Sequence, residues 1–196
     1  MANVNKYWNN AISFEQYLKD IENEILSDLN PDFTPYYELN KKRMDRLLKT
    51  YQVKEAQIER FEELNYSGKL LIISEGWCGD AAQSLPVIYR FFEKHLEIKI
   101  VYRDQNEELM NQFLTNGSRS IPIVLILNED MKVIGHWGPR PEFGNELFDK
   151  FKYEAEIYPK EKFMEDLQRA YHLDKGTQII EEMINRIAAI SIYSPV

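Results

Sequence analysis

The chain of 196 residues predicts an α/β fold with helical additions on both sides. Three observations carry this. From Lys69 to Gly138, short apolar runs alternate with amphipathic stretches in the order strand–helix–strand–helix–strand–strand. Before this block, residues 1–66 show only helical spacing of apolar residues. After it, from about Glu142 to Ile192, the helical pattern returns and breaks near Pro159 and Gly176. The chain thus divides into a helical extension over 1–66, packed on the main domain, and an α/β domain with a helical tail over 67–196.

Each element has a local cause. Ser13 is placed to cap a helix, with Gln16 completing a capping box three residues on, and Phe14, Tyr17, Leu18, Ile21, Ile25 and Leu26 follow at helical spacing. Asn30-Pro31-Asp32 ends that helix. Thr34-Pro35 opens the next with a proline in its first turn, and Tyr37, Met44, Leu47 and Leu48 mark its apolar side. A third helical pattern runs from about Lys54 to Leu64. These amphipathic faces must be buried against the following domain. There, Leu70-Leu71-Ile72-Ile73 is a continuous apolar run, as in a strand covered on both faces. A loop with Gly76 and Gly79 leads into a helix over about Asp80–His95, interrupted by Pro86. Ile98–Tyr102 reads as the second strand and Glu107–Leu114 as a short helix. Ile121–Leu127 is the third strand, joined through Asn128-Glu129-Asp130 to the fourth, Met131–Trp137, as a hairpin at one edge of the sheet.

Composition narrows the function. Thirty-two acids against 24 bases give a net charge of −8. This disfavours non-specific nucleic-acid binding and attraction to an anionic membrane, both of which need a basic face. Met1–Ser13 lacks the apolar run of a signal peptide, and no stretch has the length of a membrane span. A cytoplasmic location is the simplest reading. The single cysteine fits it, since no disulfide can form within the chain. One Cys and three scattered His present no metal-ligand spacing.

The cysteine stands in Trp77-Cys78-Gly79-Asp80-Ala81, after a strand and at a helix start. Pro86 lies eight residues on in that helix. Ile121-Pro122 precedes the third strand, and Trp137-Gly138 ends the fourth. In these landmarks, Lys69–Gly138 resembles the thioredoxin family, and most nearly its bacterial members with Trp-Cys-Gly-Asp-Cys and a helical N-terminal extension. The resemblance implies a thioredoxin-like fold, with a central mixed sheet flanked by helices. It also implies a cis bond before Pro122, and a substrate groove formed by Trp77, Ile121, Pro122, Trp137 and Gly138.

Two departures qualify the implied chemistry. Ala81 stands where the family has its resolving cysteine, and Ile72 where typical members bury an aspartate. The two losses agree, because that aspartate serves the resolving thiol. An intramolecular dithiol–disulfide cycle is unavailable. At a helix N-terminus, Cys78 is expected to be more acidic than a free thiol, because N–H groups and the helix dipole favour the thiolate.

The reading that follows is a thioredoxin-family protein exchanging thiol and disulfide through Cys78. An external thiol resolves the mixed disulfide, and a low-molecular-weight thiol such as glutathione would serve as co-substrate. Its partners would be thiol- or disulfide-containing proteins or small molecules. The alternative is a non-catalytic thioredoxin-like module that binds a protein or peptide. Asp80 either tunes the thiol or is simply an acid stabilised in a first helical turn. Arg119 and Arg140 either bind the carboxylates of an acidic thiol or are solvated charges. His136 as a base for Cys78 competes with a structural role.

Overall fold

Strand β1 (Lys69–Ser74) is buried from Leu70 onward because it is central in its sheet. On one side it pairs in parallel with β2 (Glu97–Tyr102), Ile72 opposite Ile100. On the other it pairs antiparallel with β3 (Ile123–Leu127), Ile72 opposite Val124. Strand β4 (Val133–Trp137) pairs antiparallel with β3 and closes the order β2-β1-β3-β4. The sheet is mixed, with the hairpin at one edge. This computed structural model describes residues 4–193, with side chains through residue 190; the outermost residues of both predicted segments, and so the first three of the segment read for a signal peptide, lie outside the described residues.

The N-terminal helices are α1 (Asn5–Asn10), α2 (Phe14–Ser27), α3 (Thr34–Thr50) and α4 (Glu55–Glu62). Ser13 caps α2 by accepting from the Gln16 N–H at 3.2 Å. Phe14, Tyr17 and Ile21 are buried on its inner face, each worth about 1.5–3 kcal/mol of apolar transfer. Helix α1 was not singled out by the sequence. It lies against β2, and just after it Ile12 exchanges both backbone hydrogen bonds with Ile100, adding one antiparallel bridge to the sheet edge.

Helix α5 (Gly79–Phe92) follows the cysteine loop. It runs through Pro86, as the predicted helix over about Asp80–His95 did, and ends three residues earlier than expected. The ring removes one hydrogen bond, but Ala81–Ile88 are all buried, and packing against α3 and α9 holds the helix through the gap. Helix α6 (Glu107–Met110) is shorter than the pattern implied. Strand β3 starts two residues late because Pro122 has no N–H to give to β1. Strand β4 starts after Met131, which sits in the turn at φ 62°. The tail forms α7 (Glu142–Tyr153), α8 (Lys160–Asp174) and α9 (Thr177–Tyr193). Helix α9 packs on β4, α5 and α4. No helix among the described residues is long and apolar enough to cross a membrane.

Candidate functional site

Cys78 is the N-cap of α5. Its N–H donates to the Glu75 carbonyl at 3.1 Å and its carbonyl accepts from the Ala82 N–H at 3.1 Å. The sulfur faces inward and donates to the Ile121 carbonyl at 3.3 Å. That contact ties the α5 loop to the segment before β3, where the Ile121–Pro122 peptide is cis. Gly138 completes the corner. Its φ is 125°, and a Cβ there would stand 2.1 Å from the Pro122 carbonyl oxygen, so only glycine fits.

Cys78 is 7% exposed. Burial pushes its thiol up to about 12, and the negative charge of Asp80 adds to this. The N–H groups of Ala81 and Asp80, and the charge of Arg140, pull the other way and lose. The expectation of an unusually acidic thiol is therefore corrected: desolvation outweighs the helix N-terminus. Ala81 and Ile72 are both fully enclosed.

Asp80 is more than a first-turn acid. One carboxylate oxygen accepts from Arg140 Nε at 3.0 Å and Nη2 at 2.7 Å, and the other from Tyr171 Oη at 2.9 Å. The Asp80 and Arg140 side chains are only 10% and 13% exposed. Arg140 is thus neither a solvated charge nor free to bind a ligand carboxylate. Arg119 fits the other alternative, a solvated charge. It is exposed and held at α6, with Nε donating to Asn111 Oδ1 at 2.9 Å and Nη1 3.2 Å from Glu107. Its carbonyl accepts from Arg103 Nη1 at 3.3 Å, and that guanidinium lies over Trp77 of the Cys78 loop.

Trp137 also leaves the predicted groove. It is 1% exposed, and its Nε1 donates to Glu182 of α9 at 2.7 Å, so it anchors the tail and presents no surface to a substrate. His136 is exposed and sits against Phe113, with ring centroids 5.7 Å apart, and does not serve the sulfur. Partial desolvation of its ring against neighbouring groups, and then the charge of Arg186, lower its pKa. Trp77 does border the site. Its ring lies 5.5 Å from Phe33 and 4.8 Å from the Arg103 guanidinium.

Three participants were missed by the sequence. Tyr171 continues the inner face of α8 after Phe163 and Leu167, so its spacing signals burial but not a hydroxyl aimed at Asp80. Asn40, buried at 2%, donates from Nδ2 to the Gly76 carbonyl at 3.0 Å. An amide on the apolar side of α3 was the one available clue. Arg43 donates to Asn40 Oδ1 at 3.1 Å and lies beside Gly79 at the mouth of α5. Helices α2 and α3 therefore abut the cysteine loop. No group of three or more His, Cys, Asp or Glu is arranged to hold a metal among the described residues.

Fold and site together define a thioredoxin-like protein with one enclosed thiol. The chain matches the family described as Thioredoxin over residues 28–152, more than half its length, and belongs to that family. The matched stretch extends beyond Lys69–Gly138 on both sides and includes α3 and α4. Two solved structures share the architecture. One is a protein of unknown function from Pseudomonas aeruginosa, 19% identical, with a TM-score of 0.63 over 97% of each chain. The other is an HIV epitope-scaffold, also 19% identical, with a TM-score of 0.62 over 99% of this chain and 100% of that one. At this identity the likeness is one of fold. No curated protein matches the chain.

Proposed function

We propose that this thioredoxin-family protein is a binding module, in which the groove beside Pro122 takes an extended polypeptide and Cys78 holds the groove's shape. The observation that supports it is the setting of the sulfur: enclosed, its thiol pushed up to about 12 by burial, and 3.3 Å from the carbonyl next to Pro122, to which it donates. A hydrogen-bonded neutral thiol is a positioning group, whereas the nucleophile of disulfide exchange is the thiolate. The Ile121 N–H has no acceptor among the described residues, and an extended chain alongside would supply one. A reduced, enclosed thiol is compatible with a cytoplasmic protein.

A second reading keeps one specific observation in its favour. The N–H groups of Asp80 and Ala81, in the first turn of α5, favour the charged form of the sulfur and would stabilise a thiolate once the site opened. The Cys78 thiolate would then attack a disulfide, forming a mixed disulfide and releasing the other sulfur as thiolate. An external thiol such as glutathione would release Cys78 by the same exchange.

An array of degenerate peptides probed with wild type and with Cys78→Ser separates the two readings. The module keeps its peptide preferences in Cys78→Ser, loses them in Pro122→Ala, and gives no mixed disulfide with oxidised glutathione. Rapid glutathionylation of the wild type, together with no peptide selection, would reverse the conclusion.

A further inference from the structure

Between Lys19 and Lys41 the chain carries six carboxylates, Asp20, Glu22, Glu24, Asp28, Asp32 and Glu38, and no lysine or arginine. This segment is the turn end of the α2–α3 hairpin, from the middle of α2 to the first half of α3, and of its carboxylates Glu22 is paired with Lys41 at 2.9 Å. Its turn also exposes large apolar side chains: Leu26 and Leu29 are each 83% exposed, and Tyr36 58%. Exposed leucines scattered singly carry no message, but a group of them beside a site marks a contact surface. Phe33 makes that connection. Its ring lies 6.3 Å from Tyr36 and 5.5 Å from Trp77 of the cysteine loop.

On the other side of Gly76 the same hairpin walls a pocket of about 250 Å³. Asp20, Glu24 and Glu75 line it together with the rings of Tyr37 and Tyr102, and no lysine or arginine is among its lining residues. Glu75 is 7% exposed, and its Oε1 accepts from the Asp104 N–H at 2.9 Å. Burial raises its carboxyl to about 7, with the nearby Asp104 charge acting in the same direction. An apolar knuckle framed by carboxylates complements a chain that carries apolar and cationic side chains together. Asp20 already accepts from Tyr102 Oη at 2.7 Å and Gln16 Nε2 at 2.8 Å, so a single ammonium or guanidinium entering the pocket would be met by Glu24 and Glu75 beside the two tyrosines.

We propose that the α2–α3 hairpin is a docking surface for a basic, apolar polypeptide segment, whose apolar side chains rest on Leu26, Leu29 and Phe33 while one lysine or arginine enters the pocket beside Gly76. The proposal rests on the binding-module reading and names the chemistry of its partner. The segment crosses Trp77 and continues into the groove at Pro122.

Fluorescence anisotropy with three labelled peptides of about ten residues, long enough to span hairpin and groove as extended chains, tests this. One alternates leucine with lysine, one leucine with glutamate, and one serine with lysine. The leucine–lysine peptide is expected to bind wild type, the leucine–glutamate peptide not to, and the serine–lysine peptide to bind about tenfold more weakly. Leu26→Ser/Leu29→Ser lies at exposed positions and leaves the fold intact by circular dichroism. It is expected to lose about tenfold for the leucine–lysine peptide, and Glu24→Lys a similar factor together with part of the salt dependence. Equal binding of the leucine–lysine peptide by wild type and these variants, with a loss in Pro122→Ala, would overturn the docking surface and leave the groove standing. Equal binding of the leucine–glutamate peptide would also overturn it. No binding of any of the three peptides would overturn both readings.

Discussion

Iodoacetamide titrated across the alkaline range interrogates Cys78 alone, because the chain has one cysteine. The fold holds its thiol at about 12, against about 8.5 for a free cysteine. At about pH 7.5 a free thiol is roughly one-tenth thiolate, whereas Cys78 would be a few parts in about 10⁵. Alkylation of the folded protein should therefore run on the order of a thousandfold or more below the free-thiol rate, with further loss from restricted access. The same shift makes a stability statement. The unfolded chain sheds the thiol proton near its ordinary value and the folded chain keeps it, so between about 8.5 and 12 the folded state binds more protons and stability falls as pH rises. The contribution is complete below about 8.5 and fades at about 1.4 kcal/mol per pH unit above it, relative to Cys78→Ala. Mass spectrometry reads the alkylation, and urea unfolding at about pH 8 and pH 10 reads the stability. A midpoint at or below about 8.5, with a rate like that of free cysteine, would refute the argument that burial outweighs the helix N-terminus at this site.

Four further outcomes follow from the structure. Removing Arg140 as Arg140→Met strands the enclosed Asp80 carboxylate and should cost about 3–5 kcal/mol in urea unfolding, while Asp80→Asn/Arg140→Met recovers much of it; Tyr171→Phe, which removes one charge-assisted hydrogen bond, should cost about 1.5–3 kcal/mol. Gly138→Ala places a methyl group against the Pro122 carbonyl at a φ that side chains rarely adopt, and should lower the unfolding midpoint by several degrees or prevent folding, read by circular dichroism. Glu75, whose carboxyl is raised to about 7 by burial, is neutral at low pH. Its contribution is full below about pH 4.3 and is lost as pH rises through about 7, so Glu75→Gln should be neutral at low pH and stabilise above pH 7 by about 1–2 kcal/mol, the shift being discounted for solvent at the pocket mouth.

Much of this molecule was written locally. The strands and the helices at Ser13 and Thr34-Pro35 follow from alternating apolar runs, a capping hydroxyl and a proline in a first turn, all effects confined to a few neighbouring residues. The thioredoxin resemblance followed from the order and spacing of Cys78, Pro86, Pro122 and Gly138, which are likewise positions along the chain. Those features located the candidate site at Cys78 and Pro122. What the chain could not disclose was decided by distance in space. Cys78 reads as an activated thiol from its helix N-terminus alone. Its burial at the start of α5, against the Ile121 carbonyl, removes the water a thiolate needs and pushes the thiol up. Arg140 and Arg119 look alike in sequence, yet one is locked to Asp80 and Tyr171 and the other is held by α6. Trp137 belongs to the family's landmarks, but the packing of α9 turns it into a buried anchor for Glu182. Local periodicity determines which elements form and which faces they bury. Solvation and charge depend on which distant elements close over a residue, and only the tertiary structure sets those.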